Sequence, residues 1–572
     1  MCGISGIFKN IPINKRDIKI QKILFKEIKH RGPSSKGMSK AKNYITACSR
    51  LSIVDQRKVS NIPFETSKNI LSYNGQLYNY KKLRKKLSSE KGISFKTKSD
   101  TEVFIKGYEI YGDKFFKMCE GMFAAAIYSK INKNLILIVD PLSIKNLYFY
   151  VDTKNKLIQF SSESRSLNKL NKLGVNLSLS KEWFMNNQIN HNFSFFNKIR
   201  RVKGGTLIKF DKNLRKIQIK YFDLKSTFKE KRNKLKKFSI AELINIKDYI
   251  SSDEKKLAVL LSGGVDSALI SQMLQQKIKE QNLILNSYSA DIKYKNISEK
   301  ISIKKNLKKL KFKKSKFINV TKKNFLNDLF YISKNSSLPL FNPNVIIFYK
   351  LMKEIKKDKI KIAFTGDGAD EFFNGYKWSQ KKILPNNILS VGTGLNDKIY
   401  KIFFLKNTLK DKKYTIKKKI FYKDLNKVKS LSKTRFFNQN IYLDRWLRCR
   451  DELGMLNGVE VRVPFCDTKV INFVNSISNR SSLIKNKNIL RQNLHQEIIK
   501  NKKIGFTIPF FSWITKKEIL KILKKTNFFK LNIFNLKNFE KLINNRKSLF
   551  KYRMLVWQII SFCVWEKQHR YI

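Results

Sequence analysis

Between residues 257 and 277 the chain passes from a short apolar run (257–261) through Ser262-Gly263-Gly264-Val265-Asp266-Ser267 into a stretch of helical pattern (267–277). Two further strand-like runs, 283–289 and 361–365, are separated by Lys-rich helical stretches. Strand–helix alternation of this kind implies a parallel sheet with helices on both faces. From about residue 430 the periodicity is mostly helical. The second half therefore reads as an α/β domain with a helical C-terminal part.

The first 210 residues follow a different pattern. Short apolar runs (4–8, 135–139, 147–151) alternate with turn signals such as Asn74-Gly75 and Gly204-Gly205. One segment, 99–111, is helical and opens with Ser-x-x-Glu, a capping box. Residues 225–237 are polar and charged, suited to a linker or an exposed helix. A chain of 572 residues is too long for one core, and 42% hydrophobic residues exclude wholesale disorder. We expect an N-terminal domain over 2–212, a linker over 213–237 and a second domain over 238–572.

The formal charge is +76, from 119 Lys+Arg against 43 Asp+Glu. Such an excess raises nucleic-acid binding. The lysines are nevertheless spread along the whole chain, and neither zinc-finger spacing, an RNP-like aromatic motif nor a basic-region heptad is present. The abundance of Lys, Asn, Ile and Phe together points to compositional drift, with no specific nucleic-acid partner. Six cysteines form no Cys-x-x-Cys pair, which argues against a disulfide scaffold and fits a reducing cytoplasm. No apolar run approaches the ~18 residues of a membrane span, and no basic segment followed by an apolar stretch marks a signal peptide. The start of the chain is therefore expected to be its functional start, and the protein to be cytoplasmic, with no membrane partner.

Cys2 follows Met1 directly. Removal of Met1 leaves its thiol beside a free α-amine, whose ordinary pKa near ~8 suits it to activate the thiol without a histidine. A buried structural cysteine is the competing reading. Arg50, in Ser49-Arg50-Leu51-Ser52-Ile53-Val54-Asp55, is a fork before an apolar run that could hold a carboxylate in bidentate fashion, or a surface arginine at a strand start. Asn74-Gly75 is a hairpin turn, or an amide and backbone N–H groups forming an oxyanion hole. Asp100, in Ser99-Asp100-Thr101-Glu102, favours the first turn of a helix and could also grip an ammonium.

In the second half, the two glycines of 262–267 let backbone N–H groups approach phosphate oxygens, and the following helix N-terminus adds positive dipole. Ser262 and Ser267 can donate hydrogen bonds, and Asp266 can hold Mg²⁺. The loop is not a Walker A, since no Gly-Lys-Ser/Thr follows. Thr365-Gly366-Asp367-Gly368-Ala369-Asp370-Glu371 places three acids in five residues after a strand end, where open parallel sheets put their active sites. Its spacing does not fit a calcium loop.

With Cys2-Gly3-Ile4-Ser5-Gly6 and His30-Arg31-Gly32-Pro33, the N-terminal segments resemble, in this order, class II glutamine amidotransferase domains. Residues 262–267 resemble the pyrophosphate loop of enzymes that cleave ATP to AMP and pyrophosphate. The acidic loop, Asp451-Glu452-Leu453-Gly454-Met455 with Gly458–Phe465, and Lys502-Lys503-Ile504-Gly505-Phe506 resemble asparagine synthetases. The resemblance implies an αββα sandwich of the Ntn-hydrolase kind followed by an α/β adenylating domain. It implies that Cys2 attacks glutamine, bound by Arg50, Leu51, Ile53, Val54, Asn74, Gly75, Gln76 and Asp100, with Asn74 and Gly75 as the oxyanion hole. It implies ATP binding by Leu261, Ser262, Gly263, Gly264, Val265, Asp266, Ser267, Ala290, Thr365 and Gly366. Asp266 and Asp370 would hold Mg²⁺, Asp367 would serve the β-aspartyl-AMP intermediate, and Lys503 would neutralise phosphate charge. Glutamine, aspartate and ATP are then the substrates, and a homodimer is admitted.

Three departures from the family pattern stand out: Gln76 for the usual Glu, Ser34 for Asp, and Val139 for Arg. The same architecture could also amidate another carboxylate, on a surface sugar or a natural product, or be a degenerate RNA-binding relative. The intact pyrophosphate and acidic loops argue against the last.

Overall fold

The computed structural model describes residues 2–186, 189, 192–228, 239–292, 298–376, 402–404, 433–477, 484, 487–492, 494–499 and 508–570. Twelve strands form two antiparallel sheets. In chain order they are β1 (Cys2–Lys9), β2 (Ser35–Ala41), β3 (Tyr44–Arg50), β4 (Phe64–Glu65), β5 (Asn69–Leu77), β6 (Gly121–Ser129), β7 (Asn134–Val139), β8 (Tyr148–Asp152), β9 (Leu157–Ser161), β10 (Ile199–Arg201), β11 (Thr206–Phe210) and β12 (Lys216–Lys220). One sheet has the order β10-β8-β9-β1-β3-β2 and the other β12-β11-β7-β6-β5-β4. Their facing sides interdigitate through Ile4, Phe8, Tyr44, Cys48, Ala124, Leu137 and Phe160, all buried. The helix α1 (Lys15–Ile28) packs on β1 and β3, and α3 (Asp100–Tyr111) packs on β5 and on α2 (Tyr80–Lys91). Helices thus cover the outer faces of two stacked sheets, the αββα sandwich implied by the resemblance.

β12 continues this sheet to Lys220, inside the segment 213–237 expected as a linker. Its Lys-Ile-Gln-Ile-Lys alternation is a one-face strand pattern that the flanking lysines obscure.

The second half holds a five-stranded parallel sheet. Its strands are β13 (Lys256–Leu260), β14 (Ile284–Asp291), β15 (Lys314–Asn319), β16 (Ile362–Phe364) and β17 (Glu460–Arg462), in the order β15-β14-β13-β16-β17. β13 is flanked by β14 and β16, so the strand order reverses there, and the loops after β13 and β16 emerge side by side at the carboxyl edge. The helices Val265–Ile278 and Asn344–Lys357 pack on the sheet.

The helical remainder ends in Arg553–His569, whose Trp565 stacks on Phe196 and whose Gln558 donates to the carbonyls of Trp183 and Phe184. The C-terminal helix therefore packs back onto the N-terminal half. Among the described residues no helix is long and apolar enough to cross a membrane.

Candidate functional site

Cys2 opens β1 and is buried. Its backbone nitrogen donates to Asn74 Oδ1 at 2.9 Å, which ties the first strand of one sheet to β5 of the other. Asn74 Nδ2 is buried without a hydrogen-bond partner. An orphaned buried donor is costly, so this amide is a site waiting for an acceptor.

Asn74-Gly75 is not a hairpin turn. It lies inside β5, where Gly75 faces Phe123 of β6. A Cβ on Gly75 would lie 2.4 Å from the Met122 carbonyl, so close strand approach, not turn geometry, demands the glycine. Phe123 sends its own N–H and C=O to Asp140, so it makes no ladder bond to Gly75. β4 pairs only with Ile70 and Leu71. The Gly75 N–H is thus left outside both ladders.

Arg50 closes β3, directly across from Cys2 in register. It ends a strand instead of preceding one, and Leu51–Asp55 form a loop folded around its guanidinium. Nη2 donates to the carbonyls of Val54 (2.9 Å) and Asp55 (2.8 Å), and Nη1 to Asn61 Oδ1. Leu51, Ile53 and Val54 are buried in this loop.

Asp100 is the first residue of α3, behind the cap Ser99, whose hydroxyl accepts from Glu102 N–H. The expected reciprocal half of the capping box is missing, because the Glu102 carboxylate is taken by the N–H groups of Lys96 and Thr97. Asp100 Oδ2 accepts from Leu77 N–H at 2.9 Å. Burial pushes the Asp100 carboxyl above its usual range, with that N–H opposing, so the site favours an incoming cation. Gln76 is also buried, with Nε2 unpartnered. Ser34, in place of the usual Asp, accepts from Ser52 N–H through its hydroxyl.

Asp140 follows Val139 and accepts from the N–H groups of Phe123, Leu142, Ile144 and Lys145. Burial still pushes it up to about 6. It builds the turn that delivers Lys145 and Asn146 to Asp451.

At the carboxyl edge of the parallel sheet, Leu261 follows β13 and hydrogen-bonds β14. Ser267 Oγ lies 3.0 Å from both the Ser262 nitrogen and its hydroxyl, which cinches the loop into a ring. Gly263 N–H points to Glu299 Oε2 at 3.2 Å. Val265 begins the helix. Gly366 lies against Asp266, with room for no side chain, so the loops after β13 and β16 touch. Thr365 Oγ1 donates to Asp367 Oδ2 at 2.7 Å. Beside them is a cleft of about 250 Å³, lined by Leu261, Ser262, Ala290, Asn344, Phe348 and Arg450 among others.

Asp266 and Asp370, from the two loops, converge on Lys487 Nζ, which lies 2.6 and 2.7 Å from the Asp266 oxygens and against Asp370 Oδ1. Two carboxylates focused on one cation fit Mg²⁺, which takes one or two protein carboxylates and completes its octahedron with water and phosphate oxygens. Among the described residues no group of three or more His, Cys, Asp or Glu forms a fuller metal cage. Glu371, behind them, is pushed up to about 7 by burial and by Asp370, with Tyr376 O–H donating to it. Lys503 lies outside the described residues.

Three functional features escaped the sequence reading. Lys487 is one lysine among many, and nothing local marks it. Arg450 Nε and Nη2 grip Asp367 at 2.7 and 3.0 Å. The next residue, Asp451, is fully buried and takes Arg31 Nη2 with both oxygens at 2.9 Å, together with Lys145 Nζ and Asn146 Nδ2. Arg31 Nε in turn donates to the Cys2 carbonyl at 3.2 Å. Arg31 and Asp451 both sit in motifs quoted above; only the fold shows that they pair.

Both halves of the chain have known relatives. Residues 1–222 match the family model for a glutamine amidotransferase domain, and residues 250–567 match that for asparagine synthase. Asparagine synthetase [glutamine-hydrolyzing] 1 of Bacillus subtilis is 25% identical, over 90% of this chain and 88% of its own. Asparagine synthetase [glutamine-hydrolyzing] 2 of the same organism is 26% identical, over 92% and 74%. A putative asparagine synthetase [glutamine-hydrolyzing] of Methanocaldococcus jannaschii is 26% identical, over 83% and 80%. With one family model matching more than half of its length, and a glutamine amidotransferase domain ahead of it, the chain belongs to the asparagine synthase family.

Proposed function

We propose that this chain is a glutamine-dependent asparagine synthetase, which moves the amide nitrogen of glutamine onto the side-chain carboxylate of aspartate at the expense of ATP. One observation carries the reading. The helix Leu443–Leu456 touches both candidate centres through adjacent residues: Arg450 holds Asp367, and Asp451 holds the Arg31 that hydrogen-bonds Cys2.

In the first half-reaction, loss of Met1 frees the Cys2 amine, held by Asn74 Oδ1, to take the thiol proton. The thiolate attacks the glutamine amide carbon. Asn74 Nδ2, already buried without a partner, and the Gly75 N–H receive the oxyanion. Arg50 binds the α-carboxylate and Asp100 the α-ammonium. Ammonia leaves on collapse, and water releases glutamate from the thioester.

In the second, the aspartate β-carboxylate attacks the α-phosphorus of ATP cradled by Ser262–Ser267, and pyrophosphate leaves. Mg²⁺ held by Asp266 and Asp370 would offset the phosphate charge. Lys503 neutralises charge in the same step. Ammonia, reaching the site inside the protein, displaces AMP from the β-aspartyl-AMP. The first chemistry belongs to the sandwich, which runs on through β12 to Lys220, and the second to residues 238–572.

The test is mass spectrometry of the products formed from ATP, glutamine and aspartate by the full chain. Asparagine, AMP and glutamate in equal amounts are expected. Pyrophosphate release that requires a different acid assigns the site another acceptor.

A further inference from the structure

We propose that Arg450 is the residue that selects the acceptor, binding a second anionic group on it, so that this site takes a dicarboxylic acid and discriminates against simple carboxylates. The inference rests on the reading that the site activates a carboxylic acid.

Arg450 reaches from the helix Leu443–Leu456 to the carboxyl edge of the parallel sheet and lines the cleft with Ser262, Ala290 and Asn344. Among the described residues lining that cleft, it is the cation. Its Nε–Nη2 edge is used, forked onto Asp367. Its other end is not: Nη1 is buried with no hydrogen-bond partner. A guanidinium has five donors in a rigid plane, so an arginine committed along one edge can still take a second carboxylate at its Nη1 end.

The plane is already fixed. The guanidinium lies 4.1 Å from the Phe348 ring centroid and 4.8 Å from that of Trp446. Aromatic walls keep water away and raise the worth of a charge-assisted hydrogen bond. Asp367 also holds Arg450 firmly protonated.

Electrostatics makes the need specific. An acid entering here meets Glu299 on the cleft wall and Asp367 in the grip of Arg450, with Lys487 already engaged by Asp266 and Asp370. An acceptor with two carboxylates needs a donor for the second as well as the first, and Arg450 Nη1 is such a donor, next to the acid expected to serve the reacting carboxylate. A competitor with one carboxylate leaves Nη1 unpaired. Penalising the analogue that lacks the group is the strong form of discrimination.

The experiment measures ammonia-dependent pyrophosphate release by the full chain with aspartate and with β-alanine, which lacks the α-carboxylate. Wild type, Arg450→Lys and Arg450→Gln are compared. Wild type should prefer aspartate at least 100-fold in kcat/KM. Arg450→Gln also releases the Asp367 fork, so kcat should fall for both acids alike, while the aspartate KM alone rises about 100-fold, the preference for aspartate over β-alanine drops to within threefold, and the ATP KM is kept, which also reports an intact fold. Arg450→Lys should fall between. Equal use of the two acids by wild type, an unchanged aspartate KM in Arg450→Gln, or a parallel rise in the ATP KM overturns the assignment. If wild type accepts only some other acid, the aspartate reading fails on its own. Arg450 is then judged by that acid against its analogue lacking the second anion, equal use again overturning it. Release with no acid overturns both.

Discussion

Replacing Asn74 tests the glutaminase geometry most directly. Its two side-chain atoms have separate jobs: Oδ1 accepts from the Cys2 nitrogen at 2.9 Å, and Nδ2 is the buried, unpartnered donor. Asn74→Ala deletes both. Asn74→Asp keeps an acceptor for the Cys2 nitrogen but replaces the donor with an oxygen facing the developing oxyanion. In a site closed to water one oxyanion-hole donor is worth about 3–4 kcal/mol, or 10²–10³ in kcat. The Gly75 N–H remains in both variants, so some glutaminase activity should survive. Both should therefore lose about 10²–10³ in glutamine-dependent kcat, with the Asp variant no better than Ala. Ammonia-dependent synthesis, which bypasses Cys2, should stay within twofold of wild type and show that the fold is intact. The assay is glutamate release from glutamine beside asparagine formation from ammonium. An Asn74→Asp variant that keeps wild-type glutaminase would refute the donor role and leave Asn74 as a tether for the first strand.

Cys2→Ala should abolish glutamate release and leave ammonia-dependent synthesis; equal loss of both contradicts the assignment of Cys2. Gln76→Glu places a carboxylate beside the site of the substrate ammonium and should lower the glutamine KM about fivefold, a charge-assisted hydrogen bond of about 1 kcal/mol; a raised KM removes this account. Glu452 is pushed up to about 7 by burial and by Glu163, with the Ser337 N–H opposing. An unfolded Glu ionises near ~4.3, so between there and about 7 unfolding releases a proton, and stability falls as pH rises. Glu452→Gln keeps the acceptor for Ser337 and should raise the melting temperature at pH 8, by up to about 3 kcal/mol of stability, with little effect at pH 4; a gain that does not depend on pH would show that ionisation is not the cause.

The frame of the fold is legible in local signals. The strands 4–8, 135–139 and 147–151 appear as Cys2–Lys9, Asn134–Val139 and Tyr148–Asp152, and the loop helix as Val265–Ile278. These runs are apolar because both faces are covered, which a one-dimensional pattern reports well. β15, Lys-Ser-Lys-Phe-Ile-Asn, escaped because it is an edge strand carrying lysines, where burial no longer dictates composition. Asn74-Gly75 misled for the opposite reason: the dipeptide is a strong local turn signal, yet the constraint on Gly75 is the backbone of β6, fifty residues away in sequence. The pairings of Arg31 with Asp451, Arg450 with Asp367 and Lys487 with two aspartates span from tens to hundreds of residues. Charge partners at such distances leave no periodicity to read.

The distribution of charge explains why so basic a chain can house two anion-handling centres. Several interior cations are matched by acids: Arg31 by Asp451 and Glu163, Lys145 by Asp451, Arg201 and Arg448 by Asp444, Arg462 by Glu460. A buried charge without a partner costs several kcal/mol, so each of these acids is tied to its place by a cation it cannot lose cheaply. The unmatched lysines are left to the solvent face, where pairs such as Lys86–Glu90 at 3.7 Å contribute little. There the excess charge acts only at long range, drawing ATP toward the protein at low salt. Selection between anions must then be made inside, by buried donors with no solvent to compete: Asn74 Nδ2 in the N-terminal half and Arg450 Nη1 on the helix Leu443–Leu456.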